Sequence, residues 1–117
     1  MFEVVTQCEA PTLKERLDKG AGLVLLDVRE DDERDYAAIP APPGVTDLHV
    51  PLGEVRGRLD EIRASAQGQT LVVYCHHGQR SMVAATWLAR QGLNPVENLE
   101  GGIDAWSTRV DSKVRRY

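Results

Sequence analysis

The sequence predicts an α/β fold, a parallel sheet covered by helices on both faces. Three observations carry that reading. Short apolar runs alternate along the chain with segments of helical period. Two of those runs, residues 23–26 (Leu-Val-Leu-Leu) and 71–74 (Leu-Val-Val-Tyr), are too short for helices and lack polar alternation, as strands buried on both faces do. Strands alternating with helices imply crossover connections, and in such sheets the ligand site lies beyond the C-terminal ends of the strands. The length of 117 residues is that of one domain with one core, expected to span 1–117.

The elements follow in order. Residues 2–5 form a short first strand or strand-like lead. Ala10-Pro11-Thr12-Leu13 opens a helix that closes near Lys19, with Gly20 in the stop position. The strand at 23–26 is bounded by Gly22 and Asp27. Residues 30–38 are charged and polar and read as a short helix. Pro40, Pro42 and Pro43 fix the backbone and remove donors, so 40–44 is a surface loop. Residues 48–50 (Leu-His-Val) are a strand candidate. Leu52, Val55, Leu59 and Ile62 recur at helical spacing and predict an amphipathic helix over 52–64, with Gly68 ending the region. After the strand at 71–74, residues 81–91 are helical, with Met82, Ala85, Leu88 and Ala89 on one face and Gly92 as the stop. Val96 heads a last strand. Gly101-Gly102 turns into a short helix in which Trp106 packs into the core.

Composition narrows the function. Fourteen Lys and Arg against 18 Asp and Glu give a net charge of −4, the wrong sign for a nucleic-acid footprint. The basic cluster Lys113, Arg115 and Arg116 reads as a solvated tail. No apolar run is long enough to span a bilayer, and the N-terminus carries no basic and apolar leader, so a cytoplasmic protein is expected. Two cysteines make no disulfide framework.

Both strong strands end in residues that could carry chemistry. Tyr74 is followed by Cys75-His76-His77-Gly78-Gln79-Arg80-Ser81, a cysteine at the mouth of a buried strand, then a short loop and a helix. A tight loop folding back to a helix N-terminus turns backbone N–H groups inward as an anion nest, and the helix dipole adds positive potential. Arg80 adds a charge independent of pH, and His76 and His77 add partial charge. Gly78 permits an unusual backbone angle and leaves room for a ligand. Cys75 is therefore expected as a thiolate nucleophile, not a core cysteine. His76 and His77 either touch substrate or are merely solvated; the sequence leaves both open. Cys75, His76, His77 and His49 do not match paired zinc-ligand spacings, and no metal is expected. Cys8 reads as an ordinary free cysteine. Asp27 and Arg29 read as scaffold supports, with Asp27 accepting N–H bonds from a neighbouring loop and Arg29 pairing with Glu30 or Glu33.

Three segments together resemble the rhodanese family: Leu25-Leu26-Asp27-Val28-Arg29-Glu30, the loop from Tyr74 to Ser81, and Leu99-Glu100-Gly101-Gly102-Ile103-Asp104-Ala105-Trp106. Their order and spacing match over almost the whole chain. Val110-Asp111 and Tyr117 also resemble the ending of rhodanese domains attached to sulfur-activating adenylyltransferases. The chain departs from the family pattern at Ala37-Ala38-Ile39-Pro40-Ala41-Pro42-Pro43-Gly44, where a Gly-His pair is lost and a Pro-rich insertion follows.

The resemblance implies a three-layer rhodanese-like fold with a five-stranded parallel sheet. It implies a thiosulfate sulfurtransferase with Cys75 as nucleophile and His76, His77, Gly78, Gln79 and Arg80 binding the donor. Sulfur would pass from thiosulfate or a persulfide, through a Cys75 persulfide, to a thiol or cyanide-like acceptor, with no cofactor. A protein acceptor, with the chain acting as a sulfur carrier or binding module, is the alternative. A Cys-based phosphatase or arsenate reductase is a weaker rival, because those enzymes place one more residue between Cys and Arg than the four found here.

Overall fold

The computed structural model describes residues 5–117. Five strands, β1 (Val5–Cys8), β2 (Leu23–Asp27), β3 (Thr46–His49), β4 (Thr70–Tyr74) and β5 (Val96–Leu99), form one sheet in the order β1-β5-β4-β2-β3. Every pairing is parallel. The helices are α1 (Ala10–Asp18), α2 (Asp31–Tyr36), α3 (Leu59–Ala66), α4 (Gln79–Arg90) and α5 (Gly102–Arg109).

The two-residue period of the strands divides the core between two faces. Leu23, Leu25, Val72 and Tyr74 point to one, where Leu13 and Leu17 of α1 and Ile103 and Trp106 of α5 cover them. Val24, Leu26, Leu71 and Val73 point to the other, under Ile62 and Ala66 of α3 and Ala85, Leu88 and Ala89 of α4. Each fully buried leucine contributes about 1.5–3 kcal/mol. This two-sided burial is why β2 and β4 carry no polar alternation, and it makes the α/β expectation correct.

Local readings differ in four places. The helix expected over 52–64 is two 3₁₀ turns, Leu52–Glu54 and Arg56–Arg58, followed by α3. Gly53 and Gly57 weaken the helix by about 1 kcal/mol each relative to alanine. Its inward face survives, with Val55 and Ile62 buried and Leu52 and Leu59 packed beside them. The helix expected over 30–38 is shorter, and Glu30 caps it. The strand expected at 48–50 begins earlier, at Thr46, in register with Val24. The helix expected at 81 starts at Gln79, so Arg80 lies in its first turn. The first strand is described from Val5; residues 2–4 lie outside the described residues. Residues 37–45 connect α2 to β3 as a loop, as the prolines require.

Candidate active site

Cys75 follows the central strand β4 directly and is 1% exposed. The chain then turns through His76 and His77 to Gly78, whose φ of 100° suits glycine, and enters α4. This turn brings three donors onto the sulfur. The Gly78 N–H lies 3.2 Å from Sγ, and the Ser81 N–H and Ser81 Oγ each lie 3.3 Å away. Burial alone would push the thiol up. Hydrogen bonds from Ser81, then from the Gly78 and His77 N–H groups, outweigh it and hold Cys75 below the ordinary thiol value. The other cysteine is different. Burial, then the charge of Glu97, pushes the Cys8 thiol up, and its sulfur accepts a hydrogen bond from Arg16 at 3.5 Å.

Arg80 does not point freely into this nest. Its guanidinium grips Glu33 of α2 through two bonds of 2.6 and 2.9 Å. Glu33 also accepts from the Tyr117 hydroxyl at 2.8 Å and the Glu30 N–H at 3.1 Å. Arg80, the leading cause, holds the Glu33 carboxyl down at about 2. The stability Glu33 contributes is therefore complete above its ordinary value of 4.5 and is lost as pH falls toward about 2. Chemical denaturation across that range is expected to show this acid-side loss in the native protein and a much flatter profile in Arg80→Ala. Equal slopes would show that the pair contributes nothing.

The two histidine rings pack against each other at a tilt of 33°. His76 and His77 lie 3.9 Å apart between ring centroids, and Tyr117 stacks on His76 at 3.9 Å and 9°. Burial, then His77, holds His76 below the usual imidazole value, so at neutral pH it adds no charge. Its buried Nε2 has no hydrogen-bond partner among the described residues. His77 and Gln79 are exposed at the rim. His49 lies apart, its Nε2 2.8 Å from the Arg29 carbonyl. Among the described residues no group of three His, Cys, Asp or Glu is placed to hold a metal.

The floor beneath the loop is ionic. Asp27 and Arg29 are both fully buried, and Arg29 does not pair with Glu30 or with the Glu33 carboxylate. It closes back on Asp27, donating from Nε at 2.9 Å and Nη2 at 2.8 Å. The carbonyls of Glu33 and Ala37 and the Tyr117 hydroxyl take its remaining N–H groups. A buried charge is tolerable only when its donors are satisfied this fully. Asp27 accepts from the Arg29 N–H at 3.0 Å and from the side chains of Arg29 and Arg34, all in its own following segment, where bonds from a neighbouring loop were expected.

α5 braces the loop from the other side. The Ile103 N–H donates to the Cys75 carbonyl at 2.9 Å and the Asp104 N–H to the His76 carbonyl at 3.1 Å. Gly102 makes this approach possible. A Cβ there would overlap both carbonyl oxygens.

Cys75 is thus cradled by N–H groups at the C-terminal end of a parallel strand. The model of the rhodanese-like domain matches residues 9–109. The chain belongs to the rhodanese-like domain family. YrkF of Bacillus subtilis, named as a candidate sulfur carrier, is 33% identical over 107 residues; the match covers 92% of this chain but only 54% of that protein. A sulfurtransferase of Allochromatium vinosum is 32% identical over 104 residues, covering 89% of this chain and 90% of that one. Among solved structures, a rhodanese-related protein from Thermoplasma volcanium superposes with a TM-score of 0.73 at 28% identity, over 90% of this chain and 93% of that one. This rhodanese-like chain therefore sits among sulfurtransferases and sulfur carriers.

Around Cys75 the fold gathers His76, His77, Gly78, Gln79 and Arg80, and of these it is the N–H groups of Gly78 and His77 that act on the sulfur, with no side chain among them bonded to it. Two residues that do shape the sulfur's surroundings were missed. Ser81, expected as the end of the loop and the first residue of a helix, sets its N–H and its Oγ each 3.3 Å from the sulfur. Asn98 is 3% exposed in β5. The strand reads Val-Glu-Asn-Leu, and nothing in that run marks Asn98 as the polar residue that is buried.

Proposed function

We propose that this protein is a sulfurtransferase that carries sulfane sulfur as a persulfide on Cys75, with thiosulfate or a persulfide as donor. The observation that carries the proposal is the buried Cys75 sulfur held by the backbone N–H groups of Gly78 and Ser81 at 3.2 and 3.3 Å, with four residues between Cys75 and Arg80. The Cys75 thiolate attacks the outer sulfur of thiosulfate. A Cys75–sulfur bond forms, the sulfur–sulfur bond of the donor breaks, and sulfite leaves with the electron pair. The persulfide is anionic at its outer sulfur, where the loop's N–H groups can stabilise it. Cyanide or a thiolate then attacks that outer sulfur and returns Cys75 as thiolate. This is covalent catalysis with ping-pong kinetics. No step requires a metal or a cofactor.

His76, His77, Gly78, Gln79 and Arg80 form the donor-binding loop in this reading. Glu33 already neutralises much of Arg80. Losing a hydrogen bond to a charged group costs about 1.5–3 kcal/mol, roughly ten- to a hundred-fold, and Arg80→Ala is expected at the low end. Glu33→Gln, which frees the guanidinium, is expected to improve kcat/KM for thiosulfate. Steady-state kinetics of both variants check this. Full activity in Arg80→Ala would remove Arg80 from the site and leave the backbone nest as the anion holder.

The second reading, transfer to a specific protein acceptor, is favoured by the likeness to YrkF. It shares the Cys75 persulfide and differs only in the final nucleophile.

A further inference from the structure

A hydroxyl has one proton, and Ser81 Oγ lies between two groups that can accept it. One is Cys75 Sγ at 3.3 Å. The other is Asn98 Oδ1 at 2.5 Å. The orientation of the Asn98 amide is fixed by its far side. Nδ2 lies 3.2 Å from the Gly78 carbonyl and 3.1 Å from Gln7 Oε1. A backbone carbonyl only accepts, so that side of the amide is the NH₂ and the side facing Ser81 is the oxygen. Oδ1 only accepts too, and it is the nearer partner.

Two arrangements follow. With Cys75 as a thiol, S–H donates to Ser81 Oγ, Ser81 O–H donates to Asn98 Oδ1, and every group is satisfied. With Cys75 as a thiolate, Sγ needs the Ser81 proton. The hydroxyl must turn away from Asn98, leaving a buried oxygen unpaired, or stay and present a lone pair to the anion. Either costs free energy.

We propose that Asn98 is a positioning residue that acts through Ser81, withholding the hydroxyl proton from Cys75 and so opposing formation of the thiolate. The inference rests on the reading of Cys75 as the sulfur-bearing nucleophile, and it gives that reading a tuning device. The N–H nest stabilises the thiolate and so lowers its basicity. A thiolate loses nucleophilicity as its basicity falls, with a Brønsted slope of about 0.4–0.5. Asn98 restores part of that basicity.

Other ionisable groups surround Cys75. Arg80 on α4 is paired with Glu33 on α2, and His76 and His77 lie on the loop itself. Asp104 of α5, Tyr117, Tyr74 directly before Cys75, and the Asp27–Arg29 pair at the end of β2 lie beside the same loop. In β5 the neighbouring Glu97 is turned to Arg16. Asn98→Leu removes or adds none of these ionisable groups.

The test is the pH dependence of Cys75 alkylation by iodoacetamide in a Cys8→Ser background, with no sulfur donor present. Asn98→Leu is expected to lower the midpoint by about one pH unit, a tenfold larger thiolate-to-thiol ratio. The rate plateau at high pH falls about threefold, as the Brønsted slope requires. Asn98→Asp, which keeps an acceptor for Ser81, is expected not to lower the midpoint. In a Ser81→Ala background Asn98→Leu has no effect. If leucine prevents folding, Asn98→Ala carries the same expectation. Three results would overturn the proposal: a midpoint unchanged or raised in Asn98→Leu, equal falls in Leu and Asp variants, or a fall that persists without Ser81. Alkylation needs no sulfur transfer, so loss of the persulfide reading and loss of this relay would be seen in separate assays.

Discussion

Replacing Cys75 with serine is expected to abolish sulfur transfer from thiosulfate to cyanide. Serine keeps the size and leaves the N–H nest intact, but its hydroxyl is far too weak an acid to ionise there. Removing the nucleophile of a covalent enzyme has cost on the order of 10⁶ in turnover. The same change at Cys8 is expected to leave transfer nearly intact. Cys8 is 3% exposed and sits on the edge strand β1, with burial and Glu97 both opposing its ionisation. Thiocyanate formation by the two variants, at equal folded protein, gives the comparison. Appreciable turnover in Cys75→Ser would end the covalent mechanism.

Gly102→Ala is expected to be the most damaging change outside the loop itself. Gly102 has φ near 60°, which costs an L-residue about 1–2 kcal/mol. Its Cβ would also overlap the carbonyl oxygens of Cys75 and His76. Overpacking of that kind costs about 1–3 kcal/mol, so the two together amount to about 2–5 kcal/mol. The clash falls on the residue that carries the sulfur, so relief comes by displacing the loop. Activity should fall even at temperatures where the variant remains folded. Gly20→Ala separates the two effects. Gly20 has a similar φ of 67°, but a Cβ there meets nothing within 4 Å. It should cost only the backbone strain and leave transfer unchanged. Thermal unfolding and kinetics on both variants check the contrast. A fully active Gly102→Ala would show that α5 does not set the position of the loop.

The parts of the fold legible in the sequence are those fixed by burial. The runs at 23–26 and 71–74 could only be two-sided strands, and the inward face at Val55 and Ile62 survived although the helix around it did not. Helix against 3₁₀ turn over 52–58 depends on small differences at Gly53 and Gly57, which periodicity does not weigh. In the site, Cys75 and Gly78 were legible because chain direction alone sets the nest. The partners of the charged residues were not. Arg29 and Arg80 could each have taken Glu33, and the choice depends on distance in space. Arg29 lies two residues from Asp27 and closes back on it through Nε and Nη2, leaving the Glu33 carboxylate to Arg80. The Ser81–Asn98 contact joins residues on α4 and β5, and no local pattern foretells it.

The central claim is that Cys75 carries the sulfur. Intact-protein mass spectrometry after thiosulfate treatment, with peptide mapping of the modified residue, tests it most directly. The expected result is a gain of one sulfur atom on the peptide that contains Cys75, removed by cyanide and absent in Cys75→Ser. A gain that maps to Cys8, or no gain in a folded protein, would contradict the claim.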